Sequence, residues 1–215
     1  MDVRGSKREG RYTRGMRGRA TNREIEIKLR VERADEMVRK LRGLRARCEG
    51  RVLERNTVYD TSEGDFRRHG RLLRVRVERP AGSRMVRPGR QGAVVTSKAP
   101  APMGRRSKYK EKLERELAIR GPGGFEAALR RMGLRPSFVY EKSRTTFRLG
   151  GLQLCLDETP AGTFLELEGS ARAIDRAARA LGYGPKDYLR STYWDVYAAD
   201  CRRRGVKPGN MVFGR

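Results

Sequence analysis

An alternating run near the N-terminus constrains the fold of this chain more than any other feature. Residues 23–30 read Arg-Glu-Ile-Glu-Ile-Lys-Leu-Arg, so charged and apolar side chains occupy alternate positions. Successive side chains of a β-strand point to opposite faces, and this period of two therefore predicts a strand. Glu24, Glu26 and Lys28 share one face of it. That face is either the solvated side of an antiparallel sheet or the interior of a closed barrel.

Later segments repeat this alternation. Strands are predicted at residues 51–60, 73–78, 93–98, 109–119, 137–149, 152–157 and 164–168. Most of them carry charges on one face and mainly aliphatic groups on the other, as the first strand does. The charged positions are Arg74, Arg76, Lys98, Glu114, Glu116, Lys142, Arg144, Asp157, Glu166 and Glu168.

Four further segments have apolar residues at helical spacing and are predicted as amphipathic helices. They cover residues 34–41, 125–132, 171–181 and 191–204. Such helices can cover the aliphatic face of a sheet, which must be buried. The sequence therefore predicts an α+β fold, with a closed, mostly antiparallel β-barrel, a charged interior and helices packed on the outside.

The length of 215 residues suits one domain with tails. Residues 1–22 are rich in Arg and Gly with few apolar side chains, and they are expected to form a disordered basic tail. The domain is predicted at residues 23–205, followed by a short tail at residues 206–215.

The formal net charge of +25 indicates an anionic partner. Arginine is spread over every segment, so charge alone does not choose between nucleic acid and a phosphorylated small molecule; nucleic-acid contact is expected only through the N-terminal tail. Cys48, Cys155 and Cys201 show no C-x-x-C spacing, which argues against a zinc site or a disulfide framework. Without a membrane-length apolar run or a signal segment, a cytoplasmic protein with no membrane contact is expected.

The two kinds of charge on the predicted strands match one type of ligand. Carboxylates are the hard oxygen ligands that Mg²⁺ and Mn²⁺ prefer. Lysine and arginine side chains match a polyphosphate, with each charge-assisted hydrogen bond worth about 1.5–3 kcal/mol. Buried charges without such an occupant would be costly, because mutual pairing offsets only part of their desolvation. A metal–triphosphate complex satisfies both sets.

The ordered series of motifs resembles the CYTH family, or triphosphate tunnel metalloenzymes, which includes class IV adenylate cyclases, thiamine triphosphatase and inorganic triphosphatases. The resemblance covers roughly residues 23–195. The motifs that carry it are Glu24-x-Glu26-x-Lys28, Leu73-Arg74-x-Arg76, Lys98 before a proline, Glu114-x-Glu116, Lys142-x-Arg144, Asp157, Gly162-x-Phe164-x-Glu166-x-Glu168 and Ser191-x-Tyr193. One departure is Lys98-Ala99-Pro100, where the family frequently has Lys-Gly-Pro.

The resemblance also implies roles for these residues. Mg²⁺ or Mn²⁺ is expected to bind Glu24, Glu26, Glu114, Glu116, Asp157, Glu166 and Glu168. A nucleoside or inorganic triphosphate is expected to bind Lys28, Arg74, Arg76, Lys98, Lys142 and Arg144. Lys28 and Arg144 are the expected catalytic residues.

The resemblance to class IV adenylate cyclases favours conversion of ATP to cyclic AMP and pyrophosphate. An inorganic or thiamine triphosphatase, which hydrolyses the terminal phosphate, is the alternative, and no residue in the sequence decides between the two. A non-catalytic module that binds polyphosphate or RNA is less favoured, because it would not need carboxylates in phase on the strands. The sequence does not decide the oligomeric state, which is either a monomer or a homodimer.

Overall fold

Eight antiparallel strands close into a barrel, in the order β1-β5-β4-β3-β2-β6-β7-β8. The computed structural model describes residues 22–81, 92–101 and 107–214. The strands are β1 Asn22–Val31, β2 Arg47–Asp60, β3 Leu72–Pro80, β4 Gly92–Pro100, β5 Lys110–Arg120, β6 Arg135–Leu149, β7 Leu152–Thr159 and β8 Gly162–Glu168. The predicted closed barrel and α+β class are confirmed.

Helices pack around this barrel. They are α1 Ala34–Gly43, α2 Asp65–Arg68, α3 Pro122–Arg131, α4 Ala171–Ala180 and α5 Tyr193–Arg203, with a 3₁₀ turn at Pro185–Asp187. The sequence interpretation missed α2, because four residues are too few to show helical periodicity. The buried carboxylate of Asp60 orders this segment by accepting hydrogen bonds from the backbone N–H groups of Phe66 and Arg67 at 2.8 and 3.1 Å. No helix in the described part of the chain is long and apolar enough to cross a bilayer.

The register of β1 explains why its charged face meets other charges. Lys28 pairs with Glu166 on β8, and Glu26 pairs with Glu168. Directly paired residues of neighbouring strands project to the same side of the sheet, so these four charges face the barrel interior together. The alternate residues face outward and are buried under α1 and α4.

This outer layer is the main apolar core. Its buried members include Ile27, Leu29, Leu41, Phe147, Leu154, Leu165, Leu167 and Ile174. Two smaller clusters complete the packing, one where α3 covers β3 and β4 and one where α5 meets β6 and β8. The inside of the barrel is thereby left to polar groups.

Replacing Leu165 with Ala should lower the free energy of unfolding by about 3 kcal/mol, because Leu165 is fully buried in the outer core and truncation leaves a cavity there. Urea denaturation followed by circular dichroism measures the change. Val206→Ala is the matched control, since Val206 is 48% exposed, and it should change stability by less than about 0.5 kcal/mol. Equal losses in the two variants would contradict this assignment of the core.

Several element boundaries differ from the predictions. β2 begins at Arg47, four residues before the predicted residue 51, and an irregularity between Cys48 and Gly50 breaks its alternation. The last helix begins at Tyr193 instead of residue 191, because Thr192 caps it by accepting a hydrogen bond from the backbone N–H of Asp195. The predicted N-terminal tail lies outside the described residues, apart from its last residue, which starts β1.

The predicted C-terminal tail folds back on the barrel. The N–H of Met211 donates to the carbonyl of Val139 at 2.9 Å, and the N–H of Glu141 donates to the carbonyl of Met211 at 2.8 Å. Met211 is buried against the α5 cluster. This segment therefore helps to fix β6 beside α5.

Candidate active site in the barrel interior

The charged strand faces converge on a cavity of about 640 Å³ inside the barrel. All of the predicted site residues except Asp157 line it. They are Glu24, Glu26, Lys28, Arg74, Arg76, Lys98, Glu114, Glu116, Lys142, Arg144, Glu166 and Glu168. The alternation in the sequence therefore brings these side chains into one chamber.

Asp157 lies in the wall behind this chamber. Its carboxylate is fully buried and accepts hydrogen bonds from Lys142 Nζ at 2.9 Å and from Arg144 Nε at 2.7 Å. The Tyr193 hydroxyl adds a third donor at 2.5 Å. With these three donors and no access to the chamber, Asp157 has the contacts of a residue that orients two cations.

Replacing Tyr193 with Phe should lower the free energy of unfolding by about 1–2 kcal/mol, because the Asp157 carboxylate loses a buried donor while the two cations still satisfy it. The ring packing against Tyr140 and Phe164 should be retained. Thermal unfolding measures the loss. Tyr197→Phe removes a less buried hydroxyl on the same helix and should cost less; the reverse order of the two losses would contradict the role given to Tyr193.

Arg74 presents a donor that the protein leaves unpaired. This residue is 8% exposed and lines the chamber. Its terminal nitrogens donate to the Tyr140 hydroxyl at 3.2 Å and to Thr96 Oγ1 at 3.1 Å. Among the described residues, its Nε has no hydrogen-bond partner. Leaving a buried donor unpaired costs about 1–3 kcal/mol, so an anionic oxygen in the chamber would be favoured here.

The carboxylates of β1 lie close to the lysines of β4 and β5. Lys98 Nζ contacts the Glu24 carboxylate at 2.6 and 2.7 Å and Glu114 Oε2 at 2.9 Å. Lys110 Nζ lies 2.6 Å from Glu26 Oε1. Burial, together with Coulomb repulsion from Glu26 and Glu114, raises the pKa of Glu24 to about 8. Burial acts to raise the pKa of Glu26, but Lys110, Lys98 and Lys28 together outweigh it and lower that pKa to about 2.

The remaining carboxylates of the chamber serve mainly as counterions to its basic residues. Glu166 forms an ion pair with Arg144 and lies 3.4 Å from Lys28 Nζ. Glu116 lies 3.5 Å from Arg76 and 3.9 Å from Arg74. The seven predicted metal ligands therefore divide into an acidic group around Lys98 and Lys110 (Glu24, Glu26, Glu114 and Glu168) and three residues that contact the arginines, Lys28 or Lys142 (Glu116, Asp157 and Glu166).

The acidic group has the donor chemistry of a site for a hard divalent cation. Burial, together with repulsion from neighbouring carboxylates, also raises the pKa of Glu168, and a bound cation would relieve this crowding. In residues 22–81, 92–101 and 107–214, no three carboxylate, Cys or His side chains are already gathered closely enough to hold a metal. A metal would therefore compete with Lys98 and Lys110 for these oxygens.

Sequence reasoning gave no site role to Lys110, Lys112 or Glu54, which are also charged residues of the interior. Lys110 and Lys112 line the chamber, and they could have been found because they are in phase with Glu114 on β5. Glu54 is 1% exposed on β2 and gave no clear signal. Its strand is polar on both faces, since Glu54 and Asn56 point inward while Arg55 pairs on the outside with Glu141.

Aromatic side chains line one end of the chamber. They come from three elements, namely Phe66 on α2, Phe138 on β6 and Trp194 on α5. Phe138 and Trp194 meet edge to face with ring centroids 5.0 Å apart, and the Arg67 guanidinium lies 5.6 Å from the Trp194 ring. This end can accept a planar organic group beside the charged interior.

A closed antiparallel barrel with facing cations and carboxylates in its interior defines a β-tunnel with a charged lining. The chain belongs to the CYTH domain family, because the family model matches residues 22–193. Comparison with curated proteins gives no significant match.

Solved structures share this fold. A candidate adenylate cyclase from Vibrio parahaemolyticus is 19% identical, with a TM-score of 0.67 over 82% of this chain and 98% of that one. A protein from Pyrococcus horikoshii OT3 is 25% identical, with a TM-score of 0.61 over 80% and 98% of the two chains. A Hippeastrum protein, described as a candidate adenylyl cyclase with a dominant triphosphatase activity, is 18% identical, with a TM-score of 0.57 over 86% and 97%.

Proposed function

We propose that this protein is a divalent-metal-dependent enzyme that acts on a triphosphate bound inside the barrel. Its favoured reaction is that of a class IV adenylate cyclase, which converts ATP to cyclic AMP and pyrophosphate. The observation that carries the proposal is the buried, unpaired Nε of Arg74 in a chamber lined by further basic side chains. Such a donor is best satisfied by a phosphate oxygen.

The basic residues would bind the phosphate chain and stabilise the charge that develops on it. Arg144 is held in place by Asp157 and Glu166, so its guanidinium needs little reorganisation when the substrate binds. Lys28 is 4% exposed, and its ammonium is fixed 3.8 Å from the Tyr193 ring centroid and 3.1 Å from the Ser191 carbonyl oxygen. We propose that these two cations act on the reacting phosphate.

The acidic group would hold Mg²⁺ or Mn²⁺ through Glu24, Glu26, Glu114 and Glu168. Glu116, Asp157 and Glu166 would instead orient the Lys and Arg side chains that they contact. When bound, the metal supplies Lewis-acid polarisation of phosphate oxygens and lowers the pKa of a hydroxyl nucleophile. The protein contributes carboxylates on neighbouring strands and a chamber that restricts water.

The aromatic end of the chamber favours an organic triphosphate over an inorganic one. Phe66, Phe138 and Trp194 give that end an apolar, planar lining, which phosphate groups do not require. A nucleoside can stack there while its phosphates extend among the basic residues. This arrangement supports ATP, or another triphosphate with an aromatic base, as the substrate.

A triphosphatase is the second candidate. The same basic residues could hold the terminal phosphate for attack by water, and the Hippeastrum protein of similar fold is described with that activity. A non-catalytic polyphosphate- or RNA-binding module is third, because carboxylates crowded beside the phosphate site would weaken simple anion binding. We also propose that nucleic acid contacts only the basic tail at residues 1–22 and that the protein is cytoplasmic.

The test is product identification. Purified protein is incubated with ATP, thiamine triphosphate or tripolyphosphate, with Mg²⁺ or Mn²⁺, and the products are separated by anion exchange and mass spectrometry. Cyclic AMP with pyrophosphate is expected from ATP. ADP with phosphate would support the triphosphatase, whereas no product from any substrate with either metal would contradict an enzyme of this class.

A further inference from the structure

A second, smaller cavity lies behind the chamber. It has a volume of about 270 Å³ and adjoins the first part of β2, whereas the main chamber adjoins its last residues. Arg76, Arg144 and Gln153 line both cavities, so these side chains stand between them. Glu54 lines only the smaller one. Its carboxylate therefore faces the basic residues from the side opposite to the proposed phosphate site.

Glu54 contacts two of those basic residues directly. Its carboxylate oxygens lie 3.5 Å from Lys142 Nζ and 3.6 Å from Arg144 Nε. A hydrogen bond from Asn56 Nδ2 at 3.2 Å fixes the carboxylate further. Because Glu54 is 1% exposed, water screens these interactions little.

The electrostatic environment keeps this buried carboxylate charged. Burial alone would raise the pKa of Glu54, but Lys142, Arg144, Arg76 and Arg74 together lower it overall. A permanent negative charge behind four cations offsets part of their repulsion when no anion is bound. It also reduces the field that a bound phosphate experiences, because the same cations are shared between Glu54 and the phosphate.

We propose that Glu54 is a positioning residue that holds Lys142 and Arg144 from behind and limits how tightly the basic residues bind a triphosphate or its pyrophosphate product. The proposal rests on the proposed function, since it assumes that the phosphate chain binds in the main chamber. Glu54 does not touch the substrate; it acts through the two cations. Its removal makes the empty site less stable and the anion-bound site relatively more stable.

Glu54→Gln tests this proposal through binding, without turnover. Tripolyphosphate and pyrophosphate are titrated into the protein by calorimetry in EDTA at fixed salt, and dissociation of both is followed by stopped flow. We expect Kd to fall about ten-fold and dissociation to slow in proportion, because the cations lose a competing negative charge. The melting temperature of the free protein should fall, and saturating tripolyphosphate should restore most of that loss.

Glu141→Gln is the matched control. Glu141 lies on β6 and pairs with Arg55 of β2 on the outside of the barrel, and within the described part of the chain it forms no ion pair with a basic residue of the chamber. This variant makes the same charge change beside the same pair of strands, and it should leave Kd within two-fold of the unmodified protein. An equal gain in affinity in both variants would overturn the proposal, because net charge alone would then explain it.

Glu54→Asp keeps the test decisive if the Gln variant does not fold. It retains the charge but withdraws the carboxylate by one methylene from Lys142 and Arg144, so Kd should fall by about two- to three-fold, less than in Glu54→Gln. An unchanged or higher Kd in whichever of the two variants folds would overturn the role of Glu54. Failure of the unmodified protein to bind either phosphate would instead overturn the proposed function.

Discussion

Glu26→Gln should lower kcat/KM on the preferred triphosphate by at least ~100-fold, because it replaces a charged oxygen ligand with a neutral amide of nearly equal volume. Burial opposes ionisation of Glu26, but Lys110, Lys98 and Lys28 together lower its pKa to about 2, so this carboxylate is ionised throughout the neutral range. A divalent cation can therefore bind this carboxylate by displacing Lys110. Glu24→Gln should also abolish most turnover.

The measurement is initial rate against Mn²⁺ concentration, together with direct Mn²⁺ binding by electron paramagnetic resonance. Glu26→Gln should need more metal for its remaining activity, and circular dichroism should show a folded protein. Glu111→Gln is the matched control, since Glu111 lies on β5 and pairs with Arg23 outside the chamber. Full activity of Glu26→Gln and Glu24→Gln with metal present would show that these carboxylates are not ligands.

Arg144→Ala should remove about 2–4 kcal/mol of transition-state stabilisation, which is a loss of about 30- to 1,000-fold in kcat/KM. The reason is that Arg144 lines the chamber and is held by Asp157 and Glu166, so its guanidinium is preorganised for a phosphate oxygen. Arg74→Ala should behave similarly, because it removes the unpaired buried donor.

Arg148→Ala is the control for Arg144→Ala. Arg148 lies on the same strand four residues later, but its side chain is 44% exposed and contacts Glu49 and, at the edge of the chamber, Gln153. Its substitution should change kcat/KM by less than about three-fold and stability by less than about 1 kcal/mol. Steady-state kinetics at one metal concentration compares the variants. Equal activity of the Arg144→Ala and Arg148→Ala proteins would contradict phosphate binding inside the barrel.

The local alternation of charge in the sequence was sufficient to predict the barrel wall. A period of two assigns each strand residue to one of two faces, and buried aliphatic partners fix which face is outward. This is why the sequence alone places Glu24, Lys28, Arg74 and Glu166 in one interior. The inward face of β2 was not predicted, because both faces of this strand are polar. Glu54 was therefore not assigned to the interior.

The sequence by itself therefore determined the strands, the inward faces of all of them except β2, and the mixture of positive and negative charge in the interior. Only the tertiary structure decided which charges pair across the barrel, because that depends on strand order and register between segments far apart in the chain. In the folded protein, Asp157 is buried in the wall, where it contacts Lys142 and Arg144, and Lys110 contacts Glu26. Asp157 and Glu26 both lie on the inward face of their strands, yet they have different partners. Alternation fixes the face to which a side chain points, whereas closure of the barrel fixes which side chains lie within contact distance.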